Sequence, residues 1–247
     1  MKISSITDQN GRESNQDVFS ILPKVIGNKK VLCCIVSDGM GGTDAGDVAS
    51  NITKEAFDDW FEKECPKYYQ GEYSVADIKD SIIDRVIKAN REILKWKDAH
   101  DETLGSTLVL LLLCEGEYIV SNIGDSRAYK FGSRSLQITK DQTLAQLEVD
   151  RGNLTEEEAK TDKRQHKLTQ CLGMDQDPSP DFFKGKFNKG DFFLLCSDGM
   201  YNTMDLEDIK QIVTNKKNNT KTKLNQLMKQ AKDNGEKDNI TGVLIEI

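Results

Sequence analysis

At 247 residues, with 37% hydrophobic and 30% charged residues, the chain has material for a sizeable core and the balance of a folded, soluble protein. A net charge of −7, with no basic stripe interleaved with aromatics, gives nucleic-acid binding no support. The opening Met1-Lys2-Ile3-Ser4-Ser5-Ile6 is not a secretion signal, and no apolar run approaches the roughly 18 residues of a membrane helix, so a cytoplasmic location is expected.

Apolar runs bounded by turn residues predict strands. The first is Val31–Val36. An amphipathic stretch from Asp44 to Phe61 predicts a helix, and Ile78, Ile82, Ile83, Val86, Ile87, Ile93 and Leu94 predict a second at three-to-four spacing. Strands follow at 107–113, 118–122 and 127–131. The meander between Gly116 and Gly132 makes the sheets largely antiparallel. A polar stretch at about 140–177 reads as a mobile excursion from the core, with Thr155 capping a short helix that opens on Glu156, Glu157 and Glu158. A strand at 191–196, a helix around Leu224–Ala231 and a last strand at 240–245 complete the chain. No linker rich in Pro, Gly or Ser divides it, so residues 1–247 read as one domain with helices packed outside sheets.

The side-chain inventory narrows the chemistry. Cys33, Cys34, Cys114 and Cys196 lie in apolar runs and read as core thiols; no C-x-x-C pair suggests a zinc ribbon or a redox dithiol. The chain has only two histidines, His100 and His166, so Ser-His-Asp catalysis and histidine-built zinc sites have little to work with. A metal site is therefore expected to consist of oxygen ligands, which favours magnesium, manganese or calcium.

One tetrapeptide occurs twice, as Ser37-Asp38-Gly39-Met40 and Ser197-Asp198-Gly199-Met200, each time after an apolar run. A carboxylate at the end of a buried strand is costly to desolvate unless something positive or hydrogen-bonding meets it. Asp17, Asp125 and Asp238 also fall at expected strand boundaries or turns. Each alone fits a turn or an Asx cap. Together the five are better explained by one shared cation site. Simple competitors fit less well. Asp44 stands where a dinucleotide fingerprint needs glycine, Gly46-Asp47-Val48 stands where a P-loop needs Gly-Lys-Ser/Thr, and no twelve-residue calcium loop is present.

The ordered set Arg12-x-x-Asn15-Gln16-Asp17, Ser37-Asp38-Gly39-Met40-Gly41-Gly42, Gly105-Ser106-Thr107, Gly124-Asp125-Ser126-Arg127, Leu168-Thr169, Cys196-Ser197-Asp198-Gly199 and Asp238-Asn239-Ile240-Thr241 resembles the metal-dependent protein Ser/Thr phosphatases of the type 2C family, in their bacterial form. The likeness runs from Thr7 to the C-terminus. It implies an α+β fold: a four-layer α/β/β/α sandwich of two mainly antiparallel sheets flanked by helix pairs. It implies hydrolysis of phosphoserine and phosphothreonine by in-line attack of a hydroxide bridging two divalent metals, Mg²⁺ or Mn²⁺. By matching position, Asp38, the Gly39 carbonyl, Asp198 and Asp238 hold that pair and Asp17 supports it. Asp125 and Asp198 match a third, weaker site, and Arg12 matches the arginine that binds phosphate. The region at about 140–177 matches a variable flap that governs substrate choice.

Three departures from the pattern stand out. Met40 stands where many eukaryotic members carry a histidine proposed as general acid. Gln16 replaces a glutamate of some relatives, and Asp141-Gln142-Thr143 stands where relatives often have Asp-His-Ser. Arg127 reads as structural, pinning a strand by an ion pair. Phosphorylated proteins, a cognate Ser/Thr kinase and a monomeric state are the implied partners and assembly. The competing readings are a metal-dependent phosphoesterase for small phosphates, and a silent relative that only binds phosphoproteins.

Overall fold

The structure, a computed structural model, describes residues 1–42, 45–70 and 75–247. Every paired strand is antiparallel. One sheet contains β1 (Lys2–Asp8), β7 (Arg127–Phe131), β8 (Leu136–Gln137), β10 (Phe192–Cys196) and β11 (Ile240–Glu246), in the order β1-β11-β10-β7-β8. The other contains β2 (Asp17–Ile26), β3 (Lys29–Gly41), β5 (Leu108–Cys114), β6 (Glu117–Ile123) and β9 (Asp181–Lys186), in the order β2-β3-β5-β6-β9, with β4 (Leu104–Ser106) paired to β3.

Between the sheets Val36, Val109, Leu111, Val120, Phe193, Leu195 and Val243 form one core. On the outer face of the second sheet, Cys33, Ile35, Leu108, Leu110 and Leu112 pack against Phe57, Trp60 and Phe61 of α1 (Ala45–Lys63) and Ile82, Val86 and Ile93 of α3 (Val75–His100). Short α2 (Cys65–Gln70) lies between those helices in sequence. On the other outer face, Tyr129, Leu194 and Leu244 meet Ile209 and Val213 of α6 (Leu206–Val213) and Leu224 and Leu227 of α7 (Thr220–Asp233). The result is helices, sheet, sheet, helices. Central strands are buried on both faces, so β3, β5 and β10 read as near-continuous apolar runs rather than alternating ones.

The expected elements are present with shifted ends. The expected helix start at Asp44 lies outside the described residues. The first Ser-Asp-Gly-Met does not end its strand: β3 runs on through Gly41, leaving β5 at Val36 and pairing Gly39, Met40 and Gly41 with β4. The second does end its strand, passing at once into a single 3₁₀ turn, Asp198–Met200. The excursion at about 140–177 carries α4 (Leu144–Asp150) and α5 (Glu156–Ala159). Thr155 caps α5 in a complete capping box with Glu158. β1, β2, β4, β8 and β9 escaped the sequence reading, and β2 holds Pro23, which an edge strand tolerates.

Leu111 is fully buried between the sheets. Leu111→Ala is expected to cost about 2–5 kcal/mol, the usual range for such a cavity. Chemical denaturation monitored by circular dichroism measures that loss, and an unchanged midpoint would contradict the core described here.

Candidate metal centre

The five aspartates come together at one end of the sandwich through strand pairing and a set of hydrogen bonds from neutral side chains. Asp17 and Asp38 are register partners on β2 and β3. Asp38 is fixed from β5's side: its N–H donates to Thr107 Oγ1 at 2.9 Å, and its carbonyl accepts from the Thr107 N–H at 2.9 Å. Thr107 Oγ1 also meets Ser126 Oγ at 2.6 Å, which ties in the loop carrying Asp125. Gly39 donates to the Gln16 carbonyl at 3.1 Å, and a side chain there would collide with the backbone of Gly46. The start of α1 thus lies against the strand at a distance only glycine permits.

Gln142 clamps the Asp125 loop. Its backbone N–H donates to the Gly124 carbonyl at 3.0 Å, and its Oε1 accepts from the Gly124 N–H at 2.9 Å. Arg127 forks onto Asp141 at 2.9 and 2.6 Å and stacks 3.6 Å from the Tyr201 ring. Tyr201 in turn donates to the Asp125 carbonyl at 2.8 Å. The structural reading of Arg127 holds, and two of the residues in Asp141-Gln142-Thr143 brace the loop from the flap side.

Asn239 does the same for the N-terminal loop. Its amide donates to the Gln9 and Ser14 carbonyls at 2.9 Å each, and its Oδ1 accepts from the Gln16 N–H at 2.9 Å. Ser197 Oγ donates to Asp17 Oδ2 at 2.7 Å and accepts from the Thr241 N–H at 3.0 Å.

These anchors leave a concentration of like charge. Burial pushes the Asp17 carboxyl up to about 7, against the hydrogen bond from Ser197 and with help from Asp198 and Asp238. Asp38 is raised well above the usual carboxylate range by burial, then by Asp17, Asp198, Asp125 and Asp238. Asp125 is raised by burial and then by Asp198. At the site Asp17 Oδ1 and Asp198 Oδ1 are buried with no hydrogen-bond partner, as Asp47 Oδ1 and Asp58 Oδ1 are away from it. Orphaned buried acceptors of this kind call for a cation.

A cleft of about 950 Å³ opens above them, lined by Arg12, Asp38, Gly39, Asp125, Asp198 and Asp238 among others. Asp17 is not among the lining residues and supports the wall from behind. The Arg12 guanidinium lies on Asp238, with Nε 2.8 Å from Oδ1 and Nη2 2.5 Å from Oδ2. Met40 also lines the cleft, and its thioether has no proton to donate.

The family profile described as protein phosphatase 2C matches residues 9–244. The chain belongs to the protein phosphatase 2C family. A serine/threonine phosphatase of Listeria monocytogenes is 30% identical over 215 residues, covering 86% of this chain and 83% of its own length. Protein phosphatase PhpP of Streptococcus pneumoniae is 29% identical and covers 100% of this chain and 98% of its own. The solved serine/threonine phosphatase of S. agalactiae superposes with a TM-score of 0.89 at 28% identity, covering 100% of this chain and 99% of its own.

As a 2C phosphatase the chain belongs to a metal-dependent class, and the residues present fit a metal: buried carboxylates, orphaned oxygens and an open cleft. His166, set aside in the sequence because histidines are so few, stands with Asp125 and Asp198, their ligand atoms all within 4.8 Å of one another. Its Nδ1 is 3.5 Å from Asp198 Oδ2, and that contact, outweighing burial, which acts the other way, raises the imidazole pKa. The available signal was positional: His166 lies in the excursion, two residues before Leu168-Thr169.

Because the native state raises the Asp17 pKa, it keeps a proton that the unfolded chain releases above about pH 4. Metal-free protein should therefore lose stability as pH rises from about 4 through 7. Melting curves in EDTA at about pH 5 and pH 7.5 check the sign, and added Mn²⁺ should restore more stability at the higher pH. A melting temperature that rises with pH in EDTA would contradict it.

Proposed function

We propose that this phosphatase hydrolyses phosphoserine and phosphothreonine in proteins, at the cleft where its five aspartates converge. Asp38, the Gly39 carbonyl, Asp198 and Asp238 would hold a pair of Mg²⁺ or Mn²⁺ ions, and Asp125 with Asp198 a third. The observation that carries this is the set of buried carboxylates with orphaned oxygens at the floor of an open cleft. The names of the Listeria and S. agalactiae relatives support the substrate class.

A divalent pair there supplies an attacking water of lowered pKa and charge neutralisation for the phosphoryl group. The protein's own residues do the rest. Asp17 stays below the cleft floor, held by Ser197, and contributes field and hydrogen bonding from behind. A cation on Asp238 would draw charge from the oxygens that hold the Arg12 fork and loosen it. When it serves a cation, the Arg12 fork is released into the cleft, where its planar donors match two phosphate oxygens. Met40 gives the leaving alkoxide no proton, so protonation would come from another group in the cleft or be forgone for reactive esters.

In the cell we place the enzyme in the cytoplasm as a one-domain monomer opposing a Ser/Thr kinase. Among the described residues no helix is long and apolar enough to cross a membrane.

Hydrolysis of a phosphothreonine peptide should require Mg²⁺ or Mn²⁺ and stop with EDTA. Asp38→Asn and Asp198→Ala should both fall to the rate without enzyme, with folding verified by circular dichroism. Retained turnover in either overturns the metal assignment, and faster hydrolysis of nucleotides or sugar phosphates than of phosphopeptides overturns the substrate class. Arg12→Ala should raise KM about tenfold, as loss of a charge-assisted phosphate contact does. An unchanged KM would remove Arg12 from phosphate binding.

A further inference from the structure

We propose that the corner where α6 passes into α7 is a docking surface for membranes rich in anionic lipid, and that it holds the protein with its cleft turned away from the bilayer. Residues 214–232 contain six lysines and no Asp, Glu or Arg, in a chain whose net charge is −7. Lys216 and Lys217 stand in the loop between the two helices, and Lys221 in the first turn of α7. All three are exposed, and among the described residues none has an ion-pair partner. Lys229 lies two turns further along the exposed face of α7, paired with Asp233. Ser4 Oγ meets Thr220 Oγ1 at 2.7 Å, which brings Lys2 of β1, with its partner Glu246, to the same corner.

Stability alone does not account for this placing. The positive end of a helix dipole favours acids in the first turn, yet α7 has none there and carries Lys221 instead. The cations are also held in place rather than trailing in solvent. The Lys217 N–H donates to Asn215 Oδ1 at 3.0 Å, Asn218 Nδ2 donates to Gln226 Oε1 at 3.0 Å, and Asn219 Oδ1 accepts from the Thr222 N–H at 2.8 Å. These neutral amides order the loop without cancelling its charge.

The composition selects among anionic partners. Protein interfaces are built on buried aromatic and arginine anchors and are depleted in lysine. This segment has no arginine, and none of the exposed large apolar side chains (Met1, Val25, Leu144, Met174 and Leu206) lies in it. Lysine is a compact, strongly hydrated charge that needs no fixed partner geometry. That suits the diffuse potential of an anionic headgroup layer, where each nearby lysine strengthens binding about fivefold. The orientation follows from the helix. α7 runs from Thr220, beside Ser4, to Lys232, which pairs with Asp8 where β1 leads into the Arg12 loop. The lysine corner is thus about 18 Å along the helix from the cleft side. An anionic surface attracts that corner and repels the carboxylates of the cleft, so both charges turn the molecule the same way.

Co-sedimentation of the full chain with vesicles of phosphatidylglycerol in phosphatidylcholine, against phosphatidylcholine alone, tests this. The wild type is expected to bind the anionic vesicles at low salt, to leave them at high salt and to ignore the neutral ones, because the contact is charge without insertion. Lys216→Ala/Lys217→Ala/Lys221→Ala should bind about a hundredfold more weakly. Lys88→Ala/Lys95→Ala/Lys184→Ala, which removes the same charge from exposed positions of α3 and β9, should bind as the wild type does. Circular dichroism verifies that both variants fold, and both should hydrolyse a soluble phosphothreonine peptide at the wild-type rate. No binding to anionic vesicles, equal binding by the first variant, equal loss in both variants, or binding that survives high salt overturns the proposal. So does tighter binding of the wild type to polyglutamate or to single-stranded RNA than to the vesicles, or loss of soluble-peptide turnover in the first variant alone. The vesicle readout needs no turnover, so this inference and the proposed reaction stand or fall separately.

Discussion

Mutual repulsion among buried carboxylates is the constraint that organises this molecule. Asp17, Asp38 and Asp125 all have pKa values raised by burial and by their acidic neighbours. A fold driven only by stability would disperse such groups. Here each is fixed through its backbone or through a neutral hydroxyl rather than through a permanent cation. Thr107 holds Asp38, Ser197 holds Asp17, and Gln142 holds the Asp125 loop. Neutral anchors position the charges without neutralising them, which leaves the site's charge available for ions that arrive from solvent. Strain held ready in this way is what preorganisation means at a metal centre.

The repeated tetrapeptide shows how the same four residues serve two geometries. Ser37 and Ser197 are both buried, yet the hydroxyl of Ser37 has no partner while that of Ser197 links Asp17 to Thr241. Gly39 lets α1 press on a strand that continues; Gly199 lets a turn press on Asn239 where the strand has ended. The likeness is one of chemistry at a common point, a small residue beside a carboxylate where two backbones converge. No duplicated unit is needed, because the flanking pairings differ: β3 changes partner from β5 to β4, whereas β10 stops.

The layered fold was legible where burial is two-sided. Runs such as Leu108–Cys114 are apolar throughout because helices cover one face and the opposite sheet the other. β1, with its Lys-Ile-Ser-Ser-Ile-Thr-Asp pattern, was not legible: it is a half-buried edge strand, and its pairing with β11 lies over two hundred residues away in sequence. The aspartates were legible because carboxylates at strand boundaries are anomalous one by one and consistent together. Arg12 was legible as a cleft residue, but its fork onto Asp238 depends on a loop held by Asn239, which local sequence does not reveal. His166 was invisible for the opposite reason. Nothing around it is apolar or regular, and its neighbours in space are 41 and 32 positions away.

Besides the bridge from Leu172 to Ser106 and the hydrogen bonds of Gly173 and Met174 to Asn90, the flap region meets the core on the cleft side in two places that differ in kind. At its base, Asp141 and Gln142 grip Arg127 and Gly124 by hydrogen bonds that involve no ion. Nearer its end, His166 reaches Asp198 across the cleft wall, a contact between a half-exposed ring and a buried carboxylate. The first attachment sets where the excursion begins whatever is bound. The second involves a group that also lines the cleft, so anything occupying the cleft competes with it or completes it. If binding in the cleft alters the His166–Asp198 contact, reciprocity requires that a substrate touching the flap alter that binding in turn.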